Sequence, residues 1–210
     1  MKLATKAGCA GVFVGMETFS VRNLEYVNKG FNRVRKYREA IRTLHRLGIG
    51  VEADIVFGFD HHDPTVFERT SKLLDKLQID AVQVSIFTPL QGTRRFEAMK
   101  DRIFDRQWRH YDFHHSVFHP RCMSAGDLQS GHDWITNRFY TLGRILRRAW
   151  RHALRPRGLS GLRFMLGVNL AYYGQIRRWK IKERNPAECC HMGHHLRFST
   201  GPRHRTDLYT

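Results

Sequence analysis

Three short apolar runs, each closed by polar or turn-forming residues, constrain this chain most. They are Gly11-Val12-Phe13-Val14-Gly15-Met16, Val51 to Phe59 and Ala81 to Phe87. Their β-branched and aromatic content suits buried strands. Between them lie two segments with helical periodicity. In the first, Val34, Tyr37, Ile41, Leu44 and Leu47 recur every three or four residues, with Asn32 placed to cap the start and Gly48 to stop it. In the second, Val66, Phe67, Thr70, Leu73, Leu74 and Leu77 form the stripe, and Pro64 suits the first turn. Strand, helix, strand, helix, strand predicts an α/β fold with a parallel sheet and right-handed crossovers. Ligand sites in such folds lie beyond the carboxyl ends of the strands.

The flanking segments are less regular. Met1 to Gly8 reads as the last turns of a helix, and Val21 to Phe31 as a polar connection. Arg94 to Lys100 suits a short helix, and Ser116 to Phe118 a short strand. Ser124 is placed to cap one long helix reaching about Ala153, with Leu128, Trp134, Ile135, Phe139, Leu142, Ile145, Leu146 and Ala149 as its apolar stripe. Pro156 and Gly158 break it, and a further helix from Leu159 to about Lys182 would complete a hairpin. The expected divisions are 1–100 for the βα units, 101–183 for a helical extension and 184–210 for a mobile basic tail.

Charge is concentrated late. The 210 residues carry a formal net charge of +17, and from Arg144 onward 15 Lys/Arg face only 3 Asp/Glu. Such a region can meet anionic lipid, nucleic acid or an acidic partner, or can be a solvated helix face. Trp150, Phe164, Tyr172, Tyr173 and Trp179 are interleaved with this charge. The mixture suits a membrane surface or nucleic acid, the latter less favoured. The plainer alternative packs these aromatics on the sheet. No run reaches the ~18 apolar residues of a membrane span. The opening residues have no apolar core of the secretory kind, and Cys9, Cys122, Cys189 and Cys190 form no spaced framework. A reducing cytoplasm is therefore expected, with peripheral membrane contact as an addition.

Several motifs carry a resemblance. Gly15-Met16-Glu17-Thr18-Phe19-Ser20 with Asn28-Lys29-Gly30-Phe31-Asn32 resembles the fourth-strand region of radical S-adenosylmethionine enzymes. Leu44 to Ile49 leading into Val56-Phe57-Gly58-Phe59-Asp60 is similar to the fifth, and Phe87-Thr88-Pro89-Leu90-Gln91-Gly92-Thr93 to the sixth. Trp108 to Asp112, Pro120-Arg121-Cys122-Met123 and Tyr140 resemble the extension of the subgroup that carries a cobalamin-binding domain. The resemblance implies the last three βα units of a partial (β/α)6 barrel. It implies S-adenosylmethionine, a four-iron four-sulfur cluster and cobalamin as cofactors. Radical abstraction and methyl transfer stay equally open, and the substrate, a small molecule, is unspecified.

The family's Cys-x3-Cys-x2-Cys loop is not among these residues. The expectation is a truncated chain or separately encoded half that lines a cavity while a missing N-terminal part or partner subunit supplies the cluster. A non-catalytic basic binding module for lipid or nucleic acid, or an inactive fragment, is the alternative. The first strand would then lack an outer neighbour, and an exposed apolar edge predicts self-association of the isolated chain.

The candidate cofactor-binding residues are Glu17, Ser20, Lys29, Asp60 and Thr88. Glu17 suits a ribose or amino group, or a neighbouring helix terminus. Ser20 and Thr18 position the same ligand or cap the following turn. Lys29 pairs with a carboxylate or is a solvated loop residue. Asp60 closes its strand at the same mouth or only opens the turn to Pro64. Thr88 ends the last strand. Asp54 faces a barrel interior or marks a shifted strand boundary. His61-His62, His114-His115 with His119, and Cys189-Cys190-His191 with His194-His195 contain ligand types without a usual metal spacing, so no metal residues are assigned.

Overall fold

The computed structural model describes residues 2–26, 34–154 and 158–184. In chain order the elements are α1 (Lys2–Lys6), β1 (Gly11–Glu17), α2 (Val21–Tyr26), α3 (Val34–Arg46), β2 (Gly50–Phe57), α4 (Val66–Leu77), β3 (Ala81–Ile86), α5 (Arg94–Met99), α6 (Ala125–Phe139), α7 (Leu142–Ala153) and α8 (Gly158–Arg184). The three strands form one parallel sheet in the order β1-β2-β3. The Asn32 cap expected for α3 lies outside the described residues, as do the residues of the tail beyond Arg184.

The strands alternate more than their composition suggests. In β2, Val51, Ala53, Ile55 and Phe57 are all buried, while Glu52, Asp54 and Val56 are half-buried on the other face. Asp54 is in register with Gly15 and Gln83, so it lies within the strand rather than at a misplaced boundary. That second face receives α8. Phe164 covers Gly11 and Gly50 so closely that a Cβ at either would lie 2.4 or 2.5 Å from its ring. Further along α8, the Tyr172 hydroxyl donates to Glu52 Oε1 at 2.8 Å. Its ring stacks on Tyr140 at 5.0 Å.

The outer edge of β3 is closed by single groups rather than by a strand. The Tyr140 hydroxyl accepts from the Val82 N–H at 3.0 Å and donates to the Val82 carbonyl at 2.7 Å. His132 Nε2 is 3.2 Å from the Val84 carbonyl, and the Ile86 N–H donates to the Phe113 carbonyl. These bonds satisfy backbone groups that an edge would otherwise leave for another chain. They also dock α6, which packs on β3 and α4.

Two expectations are corrected. Val21 to Tyr26 is a helix, not a polar connection. The long helix from Ser124 is two helices, α6 and α7, separated at Tyr140 and Thr141. α6 does begin with Ser124, in a capping box with Asp127. The break lets Tyr140 turn inward to the β3 edge. Leu142 and Leu146 beyond the break, and Trp134 before it, all read as core, are exposed. The segment at Ser116 to Phe118 contributes an isolated antiparallel bridge, Ile103 to Phe118, rather than a strand.

The chain divides into two compact units, Met1–Tyr173 and Gly174–Thr210. In the second, the described part is the end of α8, where the Arg178 side chain donates back to the Gly174 carbonyl. Among the described residues no helix is long and apolar enough to cross a membrane.

Candidate functional site at the carboxyl ends of the strands

The carboxyl end of β1 departs from regular strand geometry. Its register with β2 slips between Gly15 and Glu17. Glu17 has a φ of 61°, a left-handed conformation that costs a side-chain-bearing residue roughly 1–2 kcal/mol. The Thr18 N–H turns back to the Met16 carbonyl at 2.7 Å. Bulges of this kind re-aim side chains and recur beside functional sites.

Polar groups collect around this bulge. Thr18 is buried, and its Oγ1 lies 3.1 Å from His62 Nε2. Burial pushes the His62 imidazole down to about 4, against the pull of Asp63 and with help from Arg69 and His61. His62 is therefore neutral at pH 7, and its Nδ1 has no hydrogen-bond partner among the described residues. The Tyr37 ring meets Phe19 edge-on at 6.2 Å. Its buried hydroxyl also lacks a partner there, and burial followed by the Glu17 charge raises its pKa. Asn23, on α2, is completely buried, and neither amide atom has a partner among the described residues. Buried polar groups are nearly always hydrogen-bonded, and each exception calls for a reason. Three such exceptions among the described residues, Asn23, Tyr37 and His62, lie on the segments around this strand end.

The residues singled out from the sequence fare differently. Glu17 and Ser20 lie at the bulge; the Ser20 N–H donates to Thr18 Oγ1, and its carbonyl opens α2 by accepting from the Leu24 N–H. Asp60 follows β2, but its carboxylate is engaged by Arg102 Nη1 at 2.8 Å and Arg121 Nε at 3.1 Å. Its carbonyl accepts from Cys122 Sγ. These bonds tie the segment after α5 to the end of β2. Thr88 follows β3, buried, with its hydroxyl donating to the Ile86 carbonyl at 3.1 Å. Lys29 lies outside the described residues. All four described positions are thus at one end of the sheet, while the bonds of Ser20, Asp60 and Thr88 lead to separate partners. Of the groups here, Asn23 and Tyr37 are not among the sequence candidates, and His62 is one only as half of the His61-His62 pair without a metal spacing.

At the opposite end of the sheet hydrogen bonds join a second polar cluster. Asp80 precedes β3; its N–H donates to the Val51 carbonyl, and its Oδ2 accepts from the Val51 N–H. His45 Nε2 lies 2.7 Å from the same oxygen, and His152 Nε2 lies 2.6 Å from Oδ1. Burial alone would raise the Asp80 pKa, but bonds from His152 and His45 hold it well below the usual carboxylate range. All three side chains are buried, with ligand atoms within 4.8 Å of one another, the one such trio among the described residues. A cation here would have to replace the protons shared at 2.6–2.7 Å. As it stands, the carboxylate joins the end of α3, the start of β3 and α7.

No protein-family model matches the chain. Curated proteins do. It is 30% identical over 147 residues to the bacteriochlorophyllide d C-12(1)-methyltransferase of Chlorobaculum tepidum, covering 70% of this chain and 32% of that protein. It is 27% identical over 194 residues to the anaerobic magnesium-protoporphyrin IX monomethyl ester cyclase of Cereibacter sphaeroides, covering 90% and 32%. It is 25% identical over 100 residues to the hopanoid C-2 methylase of Rhodopseudomonas palustris, covering 48% and 19%. The chain is related to methyltransferases and cyclases. That kinship supports the resemblance to the radical S-adenosylmethionine superfamily. The chain spans about a third or less of the length of these relatives.

Proposed function

We propose that these residues are the C-terminal portion of a radical S-adenosylmethionine enzyme, forming one wall of the cavity for S-adenosylmethionine and a small-molecule substrate. The observation that carries this reading is the match of 147 residues to a methyltransferase across a chain whose β1 ends in a bulge beside the buried Thr18–His62 pair. Glu17 and Ser20 would meet the sulfonium ligand's polar groups, with Thr18 and His62 as the floor beneath them. Asp60 shapes the mouth by holding Arg102 and Arg121, and Thr88 by folding back on β3.

The described cysteines, Cys9 and Cys122, do not fit an iron–sulfur cluster. Cys9 precedes β1 and donates to the Gly11 carbonyl, whereas Cys122 lies beside Asp60 beyond the end of β2. A cluster needs thiolates converging on one point. The cluster is therefore assigned to another segment or subunit, along with any cobalamin, and no chemical step is derived through either.

Equilibrium dialysis of the 210-residue chain against labelled S-adenosylmethionine tests the cavity. The expected result is saturable binding, weakened about tenfold when a charged or polar contact is lost in Glu17→Gln or Ser20→Ala. Lys72→Ala, on exposed α4 surface, should bind as the parent does. Absence of binding, or equal binding by all three variants, would overturn the assignment.

A further inference from the structure

α7 is amphipathic with its faces exchanged. Its inward positions are Ile145, Arg148 and His152. Arg148, only 3% exposed, donates to the Phe139 carbonyl at 3.0 Å and to Asn169 Oδ1 at 2.6 Å, and lies 4.1 Å over the Phe139 ring. Burial lowers its pKa to about 10, which leaves it charged at neutral pH. His152 is held by Asp80. Polar anchors thus fix the inner face.

Large apolar side chains occupy the outer one. Leu142 is 52% exposed, Leu146 and Trp150 67% each, and Leu154, just past the last turn, 68%. They recur every fourth residue, so they form one slowly drifting stripe about 18 Å long. Exposed Arg147 and half-buried Arg151 flank it, and Arg144 is tied to Asp75 on α4. α7 has no acidic residue. Scattered surface leucines need no explanation, but a continuous stripe bordered by arginines does.

We propose that this outer face docks the protein on an anionic lipid bilayer, with α7 lying in the plane of the interface. Leucines would enter the acyl boundary and Trp150 would sit at headgroup level. Arg147 and Arg151 would reach lipid phosphates while their stems cover apolar surface. The charge pattern selects this occupant. A second copy packed face to face would bring arginine stripes together, which repels. Nucleic acid would use the arginines but gains nothing from three exposed leucines. The proposal does not depend on the reaction assigned to the strand ends.

Co-sedimentation of the 210-residue chain with vesicles tests it. The probes are phosphatidylcholine alone and phosphatidylcholine mixed with phosphatidylglycerol. Binding is expected to the mixed vesicles, to weaken with salt, and to fall about tenfold or more in Leu146→Ser/Trp150→Ser. Because both side chains are exposed, that variant should keep the parent's circular dichroism and thermal midpoint. Brominated lipid should quench tryptophan emission in the parent and much less in Trp150→Phe. No binding to the mixed vesicles would overturn the proposal, as would equal binding by the double variant. So would a double variant that loses only self-association or only nucleic-acid binding.

Discussion

At the residue scale, His62 shows how burial turns an ordinary side chain into a measurable dependence on pH. Its imidazole is pushed from 6.5 to about 4 in the folded chain. The unfolded chain therefore binds more protons between these values, and stability falls as pH drops through that window. The contribution is complete above about pH 6.5 and is lost progressively toward pH 4, a total of about 3 kcal/mol. His62→Gln should flatten this part of the profile, measured as urea midpoints at stepped pH. An unchanged slope between pH 7 and 5 would mean that His62 is more hydrated than its 2% exposure implies. Little of this was legible in the sequence. His61 and His62 are adjacent and chemically identical, yet one is exposed and the other bonded to Thr18. Asn23 reads as one polar residue among several, and only the fold shows that it is completely buried. The Asp80 bridge has no short spacing to reveal it, because its partners come from residues 45 and 152.

At the element scale, the strands and the helices between them were legible because periodicity and punctuation agreed. Gly48, with a φ of 76°, stops α3 where a left-handed residue was expected. The division of α6 from α7 was hidden, because the sequence from Ser124 to Ala153 keeps helical spacing throughout. What breaks it is tertiary: the Tyr140 hydroxyl closes the β3 edge, and the turn at Thr141 lets α7 set out in a new direction. The stripe assigned to the core then splits, with Ile135, Phe139 and Ile145 buried and Leu142 and Leu146 outside. Packing of α8 offers a sharp contrast between two of its glycines. A Cβ at Gly161 would lie 2.8 Å from the Gly48 carbonyl oxygen and 3.1 Å from His152 Nδ1, whereas Gly167 has nothing within 4 Å. Gly161→Ala should destabilise by about 1–3 kcal/mol through overpacking. Gly167→Ala should instead gain up to about 1 kcal/mol from helix propensity. Urea unfolding of the pair checks both signs, and a stabilised Gly161→Ala would contradict the close approach of α8 to His152.

At the scale of the whole molecule, the two edges of the sheet are unlike. β3 is finished by Tyr140, His132 and the Phe113 carbonyl. β1 pairs with β2 alone among the described residues, and its Phe13 is 56% exposed. Among the described residues, the buried Thr18 and His62 meet at the end of that same strand. The proposal that a larger enzyme holds this sheet rests on that edge: a neighbouring strand supplied by another segment or subunit would cover it. The relatives are about two to three times as long as this chain. The most direct measurement is anaerobic purification of the native protein from its source cell through this chain. Mass, iron, sulfide and S-adenosylmethionine cleavage on reduction would then be determined. The account predicts a species larger than 24.7 kDa, either one longer polypeptide or a complex, with about four irons and four sulfides and reductive cleavage activity. An iron-free 24.7 kDa protein that neither binds nor cleaves S-adenosylmethionine would contradict it.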